Sequence, residues 1–166
     1  TLGGLGIFAG FIVATLMGVP PGLSSILQYF IAAIMVIFFL CIKDDILILS
    51  ATKKFIGQLV AAAIIIKFAG VQISNMHGFL GLYEIPHTAS ILLSLFTIVV
   101  ITNSFNLIDG VDGLAGCLGL LTSSVFGAYF LATSQFLYAV MAFSFSVSVV
   151  AFLFYNFSPA TLFIGV

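Results

Sequence analysis

Residues Ala89 to Gly116 read ASILLSLFTIVVITNSFNLIDGVDGLAG. The first part runs without a charge, whereas the part from Asn103 onward holds two asparagines, two aspartates and three glycines. A hydrocarbon core of about 30 Å needs roughly 20 helical residues, so an uninterrupted apolar run of this kind reads as a membrane helix. Lipid satisfies no backbone group, which leaves only helices and closed barrels, and barrel strands alternate apolar with polar residues as this run does not. The stretch is therefore a membrane helix that ends in a polar, glycine-rich turn at the membrane face.

The same pattern recurs outward from it, with apolar runs at 2–18, 24–42, 55–70, 114–131 and 136–155 beside the one at 89–107. These predict an all-α fold, a polytopic integral membrane helix bundle of about six transmembrane helices in one membrane domain over residues 1–166. Composition agrees: 63% of residues are hydrophobic and 5% charged, against about 45–50% apolar and 25% charged in soluble domains. Four lysines, no arginine and five acids give a net charge of −1, which provides no basic field for nucleic acid. Cys41 and Cys117 lie on separate crossings with no companion at ligand spacing and are expected to be free, buried thiols. The chain starts with neither a methionine nor a basic segment before an apolar stretch, so no signal peptide is read, and Thr1 is expected to be a cut within a longer chain.

Lys43, Lys53 and Lys54 share one connection, whereas 71–88 carries Glu84, His77 and His87 and no lysine. The positive-inside rule places 43–54 in the cytoplasm and 71–88 outside. Two crossings separate Asp45 from Asn106 and two more separate Asp112 from Asn156, so the three polar loops return to one face. The outer connection VQISNMHGFLGLYEIPH, 71–87, suits a short hairpin or interfacial segment. Its two histidines lack helical ligand spacing and are expected to be solvated and structural. Lys67 is expected to snorkel to the interface.

KDDILILSATKKFIGQ, Lys43 to Gln58, begins with adjacent carboxylates. Neighbours on a helix point about 100° apart, so Asp44 and Asp45 face one ligand together only at a helix end. Taken alone, such a pair also fits a solvated helix terminus beside lysines. Asn103, Asn106 and Asp109 follow at triplet spacing, which puts them on one helical stripe. Asp112 comes after Gly110 and Val111, where glycines permit positive φ and a close backbone approach. Asn and Asp oxygens suit Mg²⁺, with Mn²⁺ as the alternative ion, because such cations keep waters and bridge to substrate phosphates. A helix cap and turn favours the same residue types but needs one or two of them. Acids at a membrane are costly and mark function, and four of the five acids lie in these two loops. A transporter would place its acids near the middle of helices rather than at their ends. A purely structural module leaves the stripe unexplained.

In this order, these residues resemble the bacterial polyprenyl-phosphate N-acetylhexosamine-1-phosphate transferases, glycosyl transferase family 4, relatives of phospho-N-acetylmuramoyl-pentapeptide transferase. TLGGLGIF at 1–8 resembles that family's PT-x-GG-x-x-I/F segment, and YNFSPATLFIG at 155–165 resembles its NF-x-PA-x-x-F-x-GD segment. NSFNLIDG is nearer to the GlcNAc-1-phosphate branch than to the muramoyl-pentapeptide enzymes, which tend to read TNLTDG. The resemblance implies a Mg²⁺-assisted reaction in which a polyprenyl phosphate oxygen attacks the β-phosphorus of a UDP-N-acetylhexosamine and releases UMP. It also implies a multi-pass protein of the bacterial inner (cytoplasmic) membrane, active on the cytoplasmic face, in cell-envelope synthesis such as lipopolysaccharide or teichoic acid; a homodimer is compatible with it.

By position, the resemblance makes Asp44, Asp45 and Asp109 catalytic, with the DD pair engaging or deprotonating the lipid phosphate. It makes Asn106 and Asp109 metal ligands, and it gives Lys54, Asn103, Gly110, Val111 and Asp112 to substrate, the last three near the uridine. The alternatives are the muramoyl-pentapeptide phosphotransferase reaction and a transporter with acidic helix ends. Where the family has an aspartate after Phe-x-Gly, this chain has Val166. The chain is accordingly expected to be the central part of a longer transferase and to be inactive by itself.

Overall fold

The computed structural model describes residues 2–20, 24–47, 49–109 and 113–156. It contains α1 (Leu2–Gly18), α2 (Ser24–Leu47), α3 (Ala51–Phe68), α4 (His87–Ile108), α5 (Leu114–Ala132) and α6 (Phe136–Asn156). The apolar runs thus become six helices, and the fold is an all-α membrane bundle. Four segments are long and apolar enough to cross a bilayer: Ser25–Asp44, His87–Ile108, Leu114–Ala132 and Phe136–Phe154. The other two helices fall short of the expected six crossings for physical reasons. α1 has only 17 residues, and α3 carries Lys53, Lys54 and Lys67, which leave just 55–66 as an uncharged middle.

The connection between α3 and α4 is hairpin-like, as its sequence suggests. Asn75 and Glu84 form an isolated antiparallel bridge, flanked by Met76 N–H to Tyr83 O at 2.8 Å and Ile85 N–H to Ser74 O at 3.0 Å. Ser94 Oγ accepts the Ile73 N–H at 2.8 Å and donates to Ser90 O at 2.7 Å, which fastens this connection to α4. His77 is exposed in it, whereas His87 is the first residue of α4 rather than part of the loop. Lys67 is exposed in the last turn of α3, its ammonium 5.8 Å from the Phe68 ring centre. The cysteines depart from expectation: Cys41 and Cys117 are exposed, not buried. An outward position on a membrane helix meets lipid, where a thiol behaves as a small hydrophobe.

Two compact units form, one from α1, α5, α6 and the end of α4, the other from most of α2, α3 and α4 up to Ser104. In the first, α6 packs antiparallel to both α1 and α5, with Ile7, Val149, Phe152 and Leu153 at its core. Phe11 meets Phe145 edge-on, ring centres 6.2 Å apart. Lipid gives apolar helices no hydrophobic reason to associate, so close packing at small residues must hold them. A Cβ added at Gly116 would lie 2.6 Å from Leu153 Cδ2, and one at Gly10 would lie 2.9 Å from Ser148 Oγ. Serine hydroxyls of α5 and α6 find partners: Ser123 and Ser146 oxygens are 2.7 Å apart, and Ser148 Oγ donates to Ser144 O at 2.8 Å.

In the second unit, Tyr29 stacks on Phe68 with ring centres 5.6 Å apart, and a Cβ at Gly57 would meet Leu40 Cδ2 at 2.7 Å. Helices α2 and α3 are therefore antiparallel, and the end of α2 lies beside the start of α3. Gln58 of α3 bonds Asn103 of α4, so the end of α4 joins them at that same end of the unit.

Gly116→Val forces a side chain into the α5–α6 contact, and overpacking of this kind costs about 1–3 kcal/mol. The thermal unfolding midpoint in detergent falls for Gly116→Val and is retained for Gly6→Ala, where nothing lies within 4 Å of the added atom. Equal midpoints for the two variants would contradict the close helix contact.

Candidate functional site

Asp44 lies near the end of α2, and both of its oxygens are engaged. The Leu49 N–H, just beyond the helix, donates to Oδ1 at 2.7 Å, and the Lys54 ammonium, in the first turns of α3, pairs with Oδ2. The carboxylate thereby closes the chain reversal between the two helices. Its side chain is only 13% exposed, against 41% for Lys54, so the acid is enclosed while its cation still reaches solvent. Ser50 opens α3 with its carbonyl accepting from Lys53 and Lys54 N–H at 2.9 and 3.2 Å, which fixes where the lysine projects.

One helical turn after Lys54 comes Gln58, 4% exposed. Its amide pairs reciprocally with that of Asn103: Asn103 Nδ2 donates to Gln58 Oε1 at 2.9 Å, and Gln58 Nε2 donates to Asn103 Oδ1 at 3.3 Å. Asn103 Nδ2 also donates to Val99 O at 2.8 Å. Neighbouring hydroxyls of α4 bond one turn back in the same way, Thr102 to Ile98 O and Ser104 to Val100 O, each at 2.8 Å. Polar residues are tolerated in a membrane helix when their donors stay inside the helix like this.

α4 continues unbroken through the exposed Asn106. Asp109 follows, its N–H on Phe105 O at 3.1 Å, which extends the helical ladder one residue past the assigned end. The stripe of Asn103, Asn106 and Asp109 anticipated from triplet spacing therefore exists as helix geometry. Burial pushes the Asp109 carboxyl above the usual carboxylate range. Carbonyls left without N–H partners gather at a helix C-terminus and favour a cation there. Gly113 has φ 74°, the left-handed conformation expected of a glycine in this turn, and its carbonyl accepts the Cys117 N–H at 2.8 Å to start α5.

The structure thus joins Asp44 to Lys54 and Asn103 to Gln58, and sets Asn106 and Asp109 at the end of α4. Gly110, Val111, Asp112, the side chain of Asp45 and residues 157–166 of the YNFSPATLFIG segment lie outside the described residues. Gln58 had no role in the sequence reading, although its four-residue spacing from Lys54 marks it as sharing that lysine's face. Among the described residues, no group of three or more His, Cys, Asp or Glu side chains comes together. Asn106 and Asp109 instead offer two hard oxygen donors at a helix end, a set that fits Mg²⁺ completed by water and phosphate oxygens.

The family model described as glycosyl transferase family 4 matches residues 27–165. The chain is 34% identical over 170 residues to a probable undecaprenyl-phosphate N-acetylglucosaminyl 1-phosphate transferase of Bacillus subtilis (strain 168), covering 99% of this chain and 46% of that protein. It is 36% identical over 132 residues to a decaprenyl-phosphate N-acetylglucosaminephosphotransferase of Mycobacterium leprae, covering 74% of this chain and 33% of that one. A phospho-N-acetylmuramoyl-pentapeptide-transferase of Listeria monocytogenes is 32% identical over 125 residues, 70% of this chain and 37% of its own length. The chain thus spans about a third to a half of the length of these curated relatives. No solved structure matches it. Matched across most of its length by the family model, and carrying its acids and asparagines at the helix ends where the motifs lie, the chain belongs to glycosyl transferase family 4.

Proposed function

We propose that the protein carrying this chain transfers an N-acetylhexosamine-1-phosphate, GlcNAc-1-phosphate first among them, from a UDP-sugar to polyprenyl phosphate in the bacterial inner membrane. The reaction releases UMP and serves as the first membrane step of cell-envelope polysaccharide synthesis. One observation carries this reading: the Asp44–Lys54 pair and the Gln58–Asn103 amide pair lie one helical turn apart along α3, at one end of the unit formed with α2 and α4. A lipid phosphate held by its tail presents its headgroup at such an end, where a water-soluble nucleotide can meet it. Two of the relatives are named as transferases of N-acetylglucosamine phosphate to undecaprenyl or decaprenyl phosphate.

Phosphoryl transfer asks a protein to position two anions and offset their repulsion, with little covalent chemistry of its own. Lys54 supplies the positive charge that draws the acceptor phosphate to the start of α3. Asp44, held by Lys54 and the Leu49 N–H, keeps the ammonium directed, and Asp45, next in sequence, is assigned to engage that phosphate or take its proton. An acceptor oxygen forms a bond to the β-phosphorus as the bond from that phosphorus to the α,β-bridging oxygen breaks, and UMP leaves with the bridging oxygen. Asn106 and Asp109 would hold Mg²⁺, which when bound neutralises charge on the diphosphate. Gly110, Val111 and Asp112 are assigned to the uridine. The lysines at 43, 53 and 54 support a cytoplasmic location for this face by the positive-inside rule.

Asp109→Asn in the protein at its natural length keeps the thermal midpoint and lowers GlcNAc-1-phosphate transfer by about 10²–10³-fold, the usual effect of removing one electrostatic stabiliser. A folded variant with near-normal transfer would remove Asp109 from the mechanism. Wild-type protein that used UDP-MurNAc-pentapeptide but not UDP-GlcNAc would reassign the donor. Because burial raises the Asp109 pKa, protons compete for its carboxylate at a higher pH than for an ordinary aspartate. The Mg²⁺ concentration needed for half-maximal rate therefore rises as pH falls, beginning above the usual carboxylate range, and this rise is absent in Asp109→Asn.

With Cys41 and Cys117 changed to serine, a cysteine at position 84 is labelled from outside the cell membrane and one at position 53 from the cytoplasm. Labelling of position 84 only from the cytoplasm would invert the topology.

A further inference from the structure

We propose that Gln58 and Asn103 form a positioning pair that sets the register of α4 against α3, so that Asn103 acts through Gln58 and not by touching substrate. The inference rests on the transfer reaction assigned above. Both N–H groups of the Asn103 amide are committed, one to Gln58 Oε1 at 2.9 Å and one to Val99 O at 2.8 Å, and its oxygen accepts from Gln58 Nε2 at 3.3 Å. No donor remains on that amide for a phosphate or a sugar.

The location of the pair gives it a use. Lys54 and Gln58 are four residues apart on α3, hence on one face and about 6 Å apart along its axis. α3 thus carries on a single stripe the partner of Asp44 from α2 and the partner of Asn103 from α4. Asn103 in turn lies one turn before Asn106 on the same helix. Apolar side chains at a helix contact in lipid tolerate sliding, because no contact differs greatly from its neighbours. A reciprocal amide pair whose Gln58 end is 4% exposed resists sliding, because any slide leaves the buried Gln58 amide with a donor and an acceptor unmet, while Asn103 at the other end is exposed.

The test exchanges the two amides in the protein at its natural length. Gln58→Asn shortens the pair and Asn103→Gln lengthens it, while the double exchange keeps both amides and their combined length. Each single variant is expected to lower kcat for GlcNAc-1-phosphate transfer by about tenfold, the equivalent of one net hydrogen bond, with little change in KM for either substrate. The double exchange recovers most of the loss. An Asn103 that contacts substrate predicts no recovery in the double variant, and a merely structural pair predicts lower thermal midpoints with kcat unchanged per folded molecule; either result overturns the proposal.

A second readout needs no catalysis. Spin labels at the exposed positions Ile56 and Ile101, with the native cysteines changed to serine, report the α3–α4 distance. The distribution should shift or broaden in each single variant and return in the exchange. Distances that behave so in a protein with no transfer activity would uphold the pair and sink the reaction, whereas active protein with invariant distances would sink the pair alone.

Discussion

Enclosing a carboxylate at the edge of a bilayer is costly unless a cation and a hydrogen-bond donor meet it, and Asp44 has both. Lys54 and the Leu49 N–H take its two oxygens, which turns the end of α2 back into α3. Lys54 is 41% exposed, so water screens the attraction, and what the contact supplies is a fixed geometry for the turn more than a strong ion pair. The other polar contacts of that unit depend on this turn. Once Lys54 is fixed, Gln58 one turn later faces α4, and the Asn103 amide is the group it meets. The end of α2, the start of α3 and the Asn103 turn of α4 are thereby tied together by directional polar contacts.

The unit of α1, α5 and α6 is held differently. Glycines admit large side chains of α6 at close range, and serine hydroxyls return their hydrogens to helix carbonyls or to each other. Such contacts depend on shape more than on charge. The proposed transfer would use that division: a tightly packed scaffold of small residues, and charged or amide side chains kept for the helix ends.

Much of this was readable in the residues because lipid imposes one rule on every backbone group. Uncharged runs had to be helices, and the six runs became six helices with ends displaced by a few residues. Helix α2 continues to Leu47, past the apolar limit at 42, since polar side chains at a membrane face do not stop helical hydrogen bonding. Helix α3 begins at Ala51, before the apolar stretch, because Ser50 provides the opening carbonyl. The stripe from Asn103 to Asp109 followed from helix periodicity alone. What periodicity does not contain is which side chain on another helix a residue will meet. The residue types around Asn103 suggested a substrate ligand, and its amide contact with Gln58, 45 residues away, is what spacing along the chain could not show. The exposure of Cys41 and Cys117 was missed for a related reason: in a chain this apolar, the outward face is as hydrophobic as the inward one.

The central claim is that this helix-end cluster serves transfer between a lipid phosphate and a sugar nucleotide. Its most direct test is the stoichiometry of products formed by the natural-length protein in liposomes with UDP-GlcNAc, Mg²⁺ and polyprenyl phosphate. The account predicts one UMP for each lipid-linked sugar diphosphate, and none when the polyprenyl phosphate is left out. UMP released without the lipid, or ion flux across the liposomes with no sugar-nucleotide binding, would contradict it.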